Sequence, residues 1–187
     1  FILKVNLNNQ SYPMIFQEKA TKEMLEHNNL RESAIIGSDE SLIWKLRTKT
    51  NLSSSGNIFP RVINKNWIKR NLTNQRIGLE GVNKFSNVIL ESWNHGGIDG
   101  DISFSDNLLS NGNTKNKEIL ARFKAHLIAS NSDHALWNHN RRFYFDPINK
   151  SLIPIYYDGM SRIRNMDKLF YDEDNFKDRL LTRDIST

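Results

Sequence analysis

The chain has 187 residues, a formal net charge of +5 and no cysteine. The length allows one domain, or one lobe with part of another. The lack of cysteine excludes disulfides, thiolate catalysis and cysteine-ligated zinc. The mild positive charge favours phosphate-bearing ligands or acidic partners, but lysine and arginine are scattered, so nucleic acid is an unlikely partner. No run of about 18 apolar residues occurs, and no membrane span is predicted.

The N-terminal quarter predicts a small hairpin and a helix. Apolar residues alternate partly over residues 1–7, a polar turn follows, and residues 12–17 predict the returning strand. Residues 20–29 predict a helix with Thr21 as its N-cap. Residues 41–47 are typical of a further strand. Because the first residue lies inside an apolar run, we expect a piece of a longer protein, and the compartment is left open.

The middle of the chain predicts helices separated by loops. The serine-rich residues 49–57 predict a flexible loop. Residues 59–74 carry apolar side chains at helical steps and residues 82–93 do so again, so both segments predict helices. Residues 103–116 are polar and predict a loop. The four tryptophans are expected in the core.

Residues 117–160 predict a helix, a polar loop and a hairpin, in that order. Apolar side chains recur at helical steps up to Leu127, and the polar residues 131–140 end the helix. Two strands follow, joined by a turn that contains Asp146. Pro154 in the second strand is tolerated only near an edge or a bulge. A hairpin brings its two outer ends together, so residues 133–140 are expected close to Asp158.

Two segments resemble the CotH family, the spore-coat-type atypical protein kinases of bacteria. The first runs from Val5-Asn6-Leu7-Asn8-Asn9-Gln10 to Met14-Ile15-Phe16-Gln17-Glu18-Lys19, and the second from Asp133 through Asn140-Arg141-Arg142-Phe143-Tyr144-Phe145-Asp146 to Ile153-Pro154-Ile155-Tyr156-Tyr157-Asp158. The resemblance implies an α+β, protein-kinase-like fold. A hairpin remnant of the N-lobe would occupy residues 1–47, and a mostly helical C-lobe with a catalytic-loop hairpin would occupy residues 48–187.

The resemblance also implies site residues and cofactors. Asp133 would be the catalytic aspartate that accepts the proton of the attacking hydroxyl, and Asp158 would hold Mg²⁺. The second metal ligand would be Asn138, which has the ordinary kinase spacing from Asp133, or Asn140, which directly precedes the strand. Glu18 would contact the nucleotide, although a charge near a helix N-terminus also explains it. The reaction would move the γ-phosphate of ATP to a serine or threonine of a protein substrate, such as a coat or surface protein.

Two other functions are consistent with the sequence. It contains no glycine-rich phosphate loop near the N-terminus and no lysine placed to contact ATP, features that would be expected upstream of Phe1. A non-catalytic kinase-fold module for binding or coat assembly is therefore the first alternative. A metal-dependent hydrolase is the second, with His134 and His139 as ligands, joined by His126 or His95. The spacing of His134 and His139 does not place these two on one helix face, and no His-Glu-x-x-His motif occurs.

Overall fold

The computed structural model describes residues 2–15, 18–38, 45, 48–49, 59–94, 104–130 and 132–160. It has the α+β class that the sequence predicts. The chain divides into two compact units, Phe1–Glu32 and Ser33–Thr187. Each unit is described by itself below.

The N-terminal unit consists of a hairpin and a short helix. Strands β1 (Ile2–Leu7) and β2 (Gln10–Ile15) pair antiparallel. The turn residues Asn8 and Asn9 have φ angles of 50° and 62°, a left-handed conformation that asparagine tolerates and that tight hairpin turns require. Helix α1 (Lys22–His27) follows. The predicted hairpin and helix are both confirmed, the helix two residues shorter at each end.

The second unit contains a four-stranded antiparallel sheet. Its strands are β3 (Ile35–Ser38), β4 (Pro60–Val62), β5 (Arg142–Asp146) and β6 (Ser151–Ile155), in the spatial order β4-β3-β5-β6. Tyr144 of β5 pairs with Ile35 on one side and with Ile153 on the other. The predicted hairpin of β5 and β6 is confirmed, and Pro154 lies in an outer strand of this sheet, as expected.

Besides the helical residues Lys45, Thr48 and Lys49, this unit contains four helices whose bounds the structure describes. They are α2 (Lys65–Ile68), α3 (Leu72–Asn94), α4 (Asp106–Ser110) and α5 (Thr114–Ala129). Among the described residues, no helix is both long enough and apolar enough to cross a membrane.

The predicted helix over residues 59–74 is wrong. This segment forms β4 and α2 and only then enters α3. The amide of Asn64 explains the difference, because its Oδ1 accepts a hydrogen bond from Ile35 N at 2.9 Å and its Nδ2 donates to Ser33 O at 2.8 Å. These bonds attach residue 64 to the chain next to β3. Helix α3 in turn begins ten residues before the predicted start at residue 82.

The predicted loop over residues 103–116 is also wrong, because its polar residues cap helices. Ser105 Oγ accepts a hydrogen bond from Leu108 N at the start of α4, and Asn113 Oδ1 accepts one from Asn116 N at the start of α5. Asn111 and Gly112 have positive φ angles and end α4. Polar side chains that suggest a loop are here the N-caps of two helices.

The core lies between α3 and the sheet, around Phe85. The Phe85 ring contacts Phe143 at a centroid distance of 5.2 Å and Phe104 at 5.4 Å, both edge to face. Helix α3 approaches the sheet closely at Gly81, where a Cβ would lie 3.0 Å from side-chain atoms of Ile36 and Phe145. The buried apolar residues of this cluster are Ala34, Ile36, Val62, Trp67, Phe85, Val88, Ile89, Phe104, Leu109, Leu120, Phe143, Phe145 and Leu152.

The tryptophans differ in their burial. Trp67 is in the core as predicted, but Trp137 is 42% exposed, so the core prediction is wrong for that residue. The side chains of Trp44 and Trp93 lie outside the described residues.

Several predictions fall where the structure describes little. Lys45 is the described residue of the predicted strand at residues 41–47, and Lys49 is that of the predicted loop at residues 49–57; both are helical, so the two predictions are wrong at these positions. The predicted lobe boundary after residue 47 lies in the same region. Strand β3 precedes that boundary, yet it pairs with β4 and β5, which follow it.

Candidate active site

The candidate site lies at the open end of the β5–β6 hairpin. The chain leaves α5 and passes through two 3-10 turns, Asp133–Leu136 and Asn138–Asn140, before it enters β5. It leaves β6 towards Asp158. The hairpin register pairs Arg142 with Ile155, so the segments beyond these two residues are neighbours. The predicted proximity of the loop and Asp158 is confirmed by the contacts of His134.

His134 contacts two of the predicted site residues. Its Nδ1 lies 2.7 Å from the backbone oxygen of Asp158 and 3.6 Å from Asp158 Oδ2. The amide Nδ2 of Asn140 lies 2.8 Å from the same Nδ1 and 3.0 Å from His134 O. We call His134, Asn140 and Asp158 the His134 cluster.

The hydrogen bonds of the His134 cluster specify a protonation state. A backbone oxygen only accepts, so the 2.7 Å contact with Asp158 O is a hydrogen bond only if His134 Nδ1 carries the proton. Asn140 Nδ2 then donates to His134 O. In this orientation Nδ2 also lies 2.8 Å from the protonated Nδ1, whereas in the opposite orientation Oδ1 would accept from Nδ1–H but would face His134 O at 3.0 Å. Each orientation therefore satisfies one of the two contacts. The assigned orientation leaves Asn140 Oδ1 buried and without a hydrogen-bond partner among the described residues.

The two asparagines of the second 3-10 turn are both buried, each with 1% of its surface exposed. The backbone oxygen of Asn138 accepts a hydrogen bond from Ser38 Oγ at 2.8 Å, which attaches this turn to the end of β3. A buried amide oxygen without a partner loses its hydration and gains nothing in return. Asn140 Oδ1 is therefore suited to bind a cation or a donor group of a ligand.

The backbone at Asp158 has an unusual conformation. Asp158 and Met160 have φ angles of 45° and 49°, in the left-handed region. Gly159 between them is buried, and a Cβ at this position would lie 2.5 Å from Tyr156 Oη. The Asp158 side chain is 49% exposed. The chain thus presents a solvent-accessible carboxylate on a closely packed turn.

Arg142 connects the loop to the end of the hairpin. It is buried, and its guanidinium lies 4.1 Å from the centre of the Tyr157 ring, directly before Asp158. Its Nη1 donates to the backbone oxygens of His139 and Arg141, both at 3.2 Å. Arg142 therefore holds the second 3-10 turn and the segment before Asp158 together.

The other predicted site residues are placed as follows. The backbone of Asp133 begins the first 3-10 turn, and its side chain lies outside what the structure describes. Glu18 belongs to the N-terminal unit, where its Oε1 lies 2.6 Å from His27 Nδ1. Glu23 lies in the first turn of α1, and Glu18 precedes the N-cap Thr21 by three residues. The predicted catalytic role of Asp133 and the nucleotide contact of Glu18 stay predictions.

Sequence reasoning did not assign His134 a part in the kinase-like site. It considered this residue only as a zinc ligand together with His139, and their ring centres are 6.1 Å apart. The signal was its position directly after the loop aspartate and six residues before Asn140. Within the described residues, no three histidine, aspartate or glutamate side chains form a group that could hold a metal ion.

The oxygen groups present fit magnesium better than zinc. Magnesium prefers carboxylate and carbonyl oxygens and keeps several waters, so one or two protein ligands suffice. The Asp158 carboxylate and the unpartnered Asn140 Oδ1 are ligands of this type.

Comparison with known proteins adds no relative. No family model matches the chain. Neither a curated protein nor a solved structure is significantly similar to it. The function is therefore inferred from the residues of the site themselves.

Proposed function

We propose that the chain is a CotH-like phosphotransferase with a protein-kinase-like fold, which moves the γ-phosphate of Mg-ATP to a serine or threonine of a protein. The observation that supports it most is the His134 cluster. At the open end of a hairpin, His134 Nδ1 contacts the backbone oxygen of Asp158 and the amide nitrogen of Asn140. The Asp158 carboxylate is exposed, and the buried Asn140 Oδ1 has no hydrogen-bond partner among the described residues. The loop that carries Asp133 leads into that hairpin, the order typical of kinase catalytic segments.

The proposal gives each residue a task. Asp158 and Asn140 would hold Mg²⁺, which neutralises charge on the phosphates when bound. Asn140 is the preferred second ligand because its amide contacts the same imidazole nitrogen as the Asp158 backbone, and Asn138 is the alternative. Asp133 would orient the attacking hydroxyl and accept its proton. The resemblance implies a coat or surface protein as the acceptor.

A second candidate function is a non-catalytic module that keeps the same fold. The sequence favours it in one respect, because no glycine-rich phosphate loop occurs. Such a module would bind a partner protein or nucleotide without transferring phosphate.

The decisive experiment is calorimetric titration of ATP into the protein with Mg²⁺ and again with EDTA. We expect binding that requires Mg²⁺. Labelled phosphate should then pass to a serine- and threonine-rich acceptor protein, and Asp133→Ala should reduce this transfer by roughly 100-fold or more while binding persists.

The outcomes separate the candidates. Magnesium-dependent binding without transfer to any acceptor would favour the non-catalytic module. The absence of binding under both conditions would contradict the phosphotransferase proposal. Asp146→Ala is a matched control, since this aspartate lies at the other end of the same hairpin.

A further inference from the structure

We infer that His134 is a positioning residue that orients one proposed magnesium ligand, Asp158, through its backbone and contacts the amide of the second, Asn140. This inference rests on the proposed function of the site. The family resemblance assigns His134 no role. Its contacts with both ligands carry the argument.

The first step is the bond to Asp158. A left-handed φ costs a residue other than glycine roughly 1–2 kcal/mol, less for aspartate and asparagine. The φ of Asp158 is 45°, so its backbone needs support from its surroundings. The hydrogen bond from His134 Nδ1–H to Asp158 O, at 2.7 Å, supplies such support and sets the direction in which the carboxylate leaves the chain.

The second step is the orientation of Asn140. Its amide could turn by 180° and exchange oxygen for nitrogen. The backbone oxygen of His134 accepts from Nδ2 at 3.0 Å and favours the orientation found in the structure, whereas the protonated Nδ1, 2.8 Å from Nδ2, favours the opposite one. In that orientation Nδ2 faces His134, and Oδ1 is the buried atom left to bind a cation.

The third step is the placement of His134 itself. Only 23% of its side chain is exposed, and the indole of Trp137 packs against the imidazole with the ring centres 4.7 Å apart. The imidazole is therefore held in place before any ligand arrives. Preorganised groups around metal ligands commonly raise metal affinity because the ligands need no rearrangement.

The test compares His134→Asn with His134→Gln. Asparagine carries its side-chain N–H the same number of bonds from Cα as Nδ1, whereas glutamine carries it one bond further away. The probe is Mn²⁺, titrated in the presence of a non-hydrolysable ATP analogue and followed by the electron paramagnetic resonance of free Mn²⁺. We expect His134→Gln to weaken Mn²⁺ binding by roughly 10- to 100-fold. His134→Asn should bind close to the unmodified protein.

A second measurement needs no metal. Nitrogen-15 spectra of histidine-labelled protein distinguish the two neutral imidazole tautomers, and His134 should carry its proton on Nδ1. His126→Ala is the matched control, because His126 is an exposed histidine on α5 and its removal should leave Mn²⁺ binding unchanged. Thermal unfolding of every variant checks that the fold is retained.

The failures are distinguishable. If the unmodified protein binds no metal–nucleotide complex, both the proposed function and this inference are contradicted. If it binds, and His134→Gln binds Mn²⁺ equally well, the inference alone is overturned. Equal losses in His134→Asn and His134→Gln, or an unprotonated Nδ1, would overturn it in the same way.

Discussion

The two ends of the β5–β6 hairpin carry similar residues in different states. At the closed end, Asp146 Oδ1 accepts hydrogen bonds from Ile148 N at 2.9 Å and Asn149 N at 3.3 Å, and its Oδ2 accepts from Asn149 Nδ2 at 2.6 Å. At the open end, the Asp158 carboxylate meets one imidazole nitrogen at 3.6 Å, and Asn140 Oδ1 is buried without a hydrogen-bond partner among the described residues.

The comparison shows that residue type alone does not distinguish a turn from a candidate site. Both ends contain an aspartate, an asparagine and a residue with positive φ, Lys150 at the closed end and Asp158 at the open end. At the closed end the chain uses the acceptor atoms itself, as the predicted turn role of Asp146 requires. At the open end acceptor capacity remains for a ligand.

The largest expected effect is the loss of Mg-ATP affinity when the negative charge at the open end of the hairpin is removed. Asp158→Asn should lower Mg-ATP affinity by roughly 100-fold or more, because a metal loses its charged ligand. Asparagine tolerates the left-handed φ of 45° at this position, so the fold should be kept. Calorimetric titration measures the affinity, and thermal unfolding checks the fold.

Asp146→Asn is the control for this charge removal. Its Mg-ATP affinity should equal that of the unmodified protein. Equal losses from both substitutions would mean that the two ends do not differ in function.

The next effect concerns the two asparagines. Asn140→Ala should weaken Mn²⁺ binding by roughly 10- to 100-fold, because the proposed oxygen ligand is lost. Asn138→Ala should weaken it less, since Asn138 contributes its backbone oxygen to Ser38 and keeps it in the variant. Paramagnetic resonance of free Mn²⁺ provides the measurement. The reverse ranking would assign the second ligand to Asn138.

A smaller effect is expected at the turn that follows Asp158. Gly159→Ala would place a methyl group about where the Tyr156 ring lies, and overpacking of this kind costs typically 1–3 kcal/mol in the free energy of unfolding. Urea unfolding measures this cost. In the background of Tyr156→Ala the same substitution should cost much less, and additive costs would rule out the steric explanation.

The smallest effect should come from the closed end. Asp146→Ala removes the acceptor of three local hydrogen bonds on an exposed turn, and we expect a loss of about 1 kcal/mol in unfolding free energy. Mg-ATP affinity should not change. A change in affinity without a change in stability would contradict the assignment of Asp146 to the turn.

The elements that the sequence predicts well are those made by neighbouring residues. The β1–β2 and β5–β6 hairpins and helix α5 each follow from a local pattern of apolar residues and turns. Strands β3 and β4 do not, because four consecutive buried residues, Ile35–Ser38, show no alternation. Asn64 forms hydrogen bonds with residues that lie about 30 positions earlier in the sequence, at the start of β3. A local sequence pattern cannot predict contacts between such distant residues.

In the candidate site too, some features follow from local sequence patterns and others depend on distant residues. The proximity of Asp158 to the loop follows from hairpin geometry, so the sequence predicts it. The contact of His134 with Asn140 depends on two consecutive 3-10 turns. The second turn is held by the nearby Arg142 and by Ser38, which lies far from it in the sequence. The spacing of residues around Asn138 does not reveal that Ser38 Oγ binds its backbone oxygen.

The left-handed backbone at position 158 also limits which residues can replace Asp158 during evolution. Few residue types other than glycine, asparagine and aspartate accept such a φ without strain, and only aspartate among them is charged. Mutation can therefore discard the charge while the fold survives, through a single step to asparagine. Under the proposed function, descendants that have lost the activity are expected to retain the architecture and to differ first at position 158.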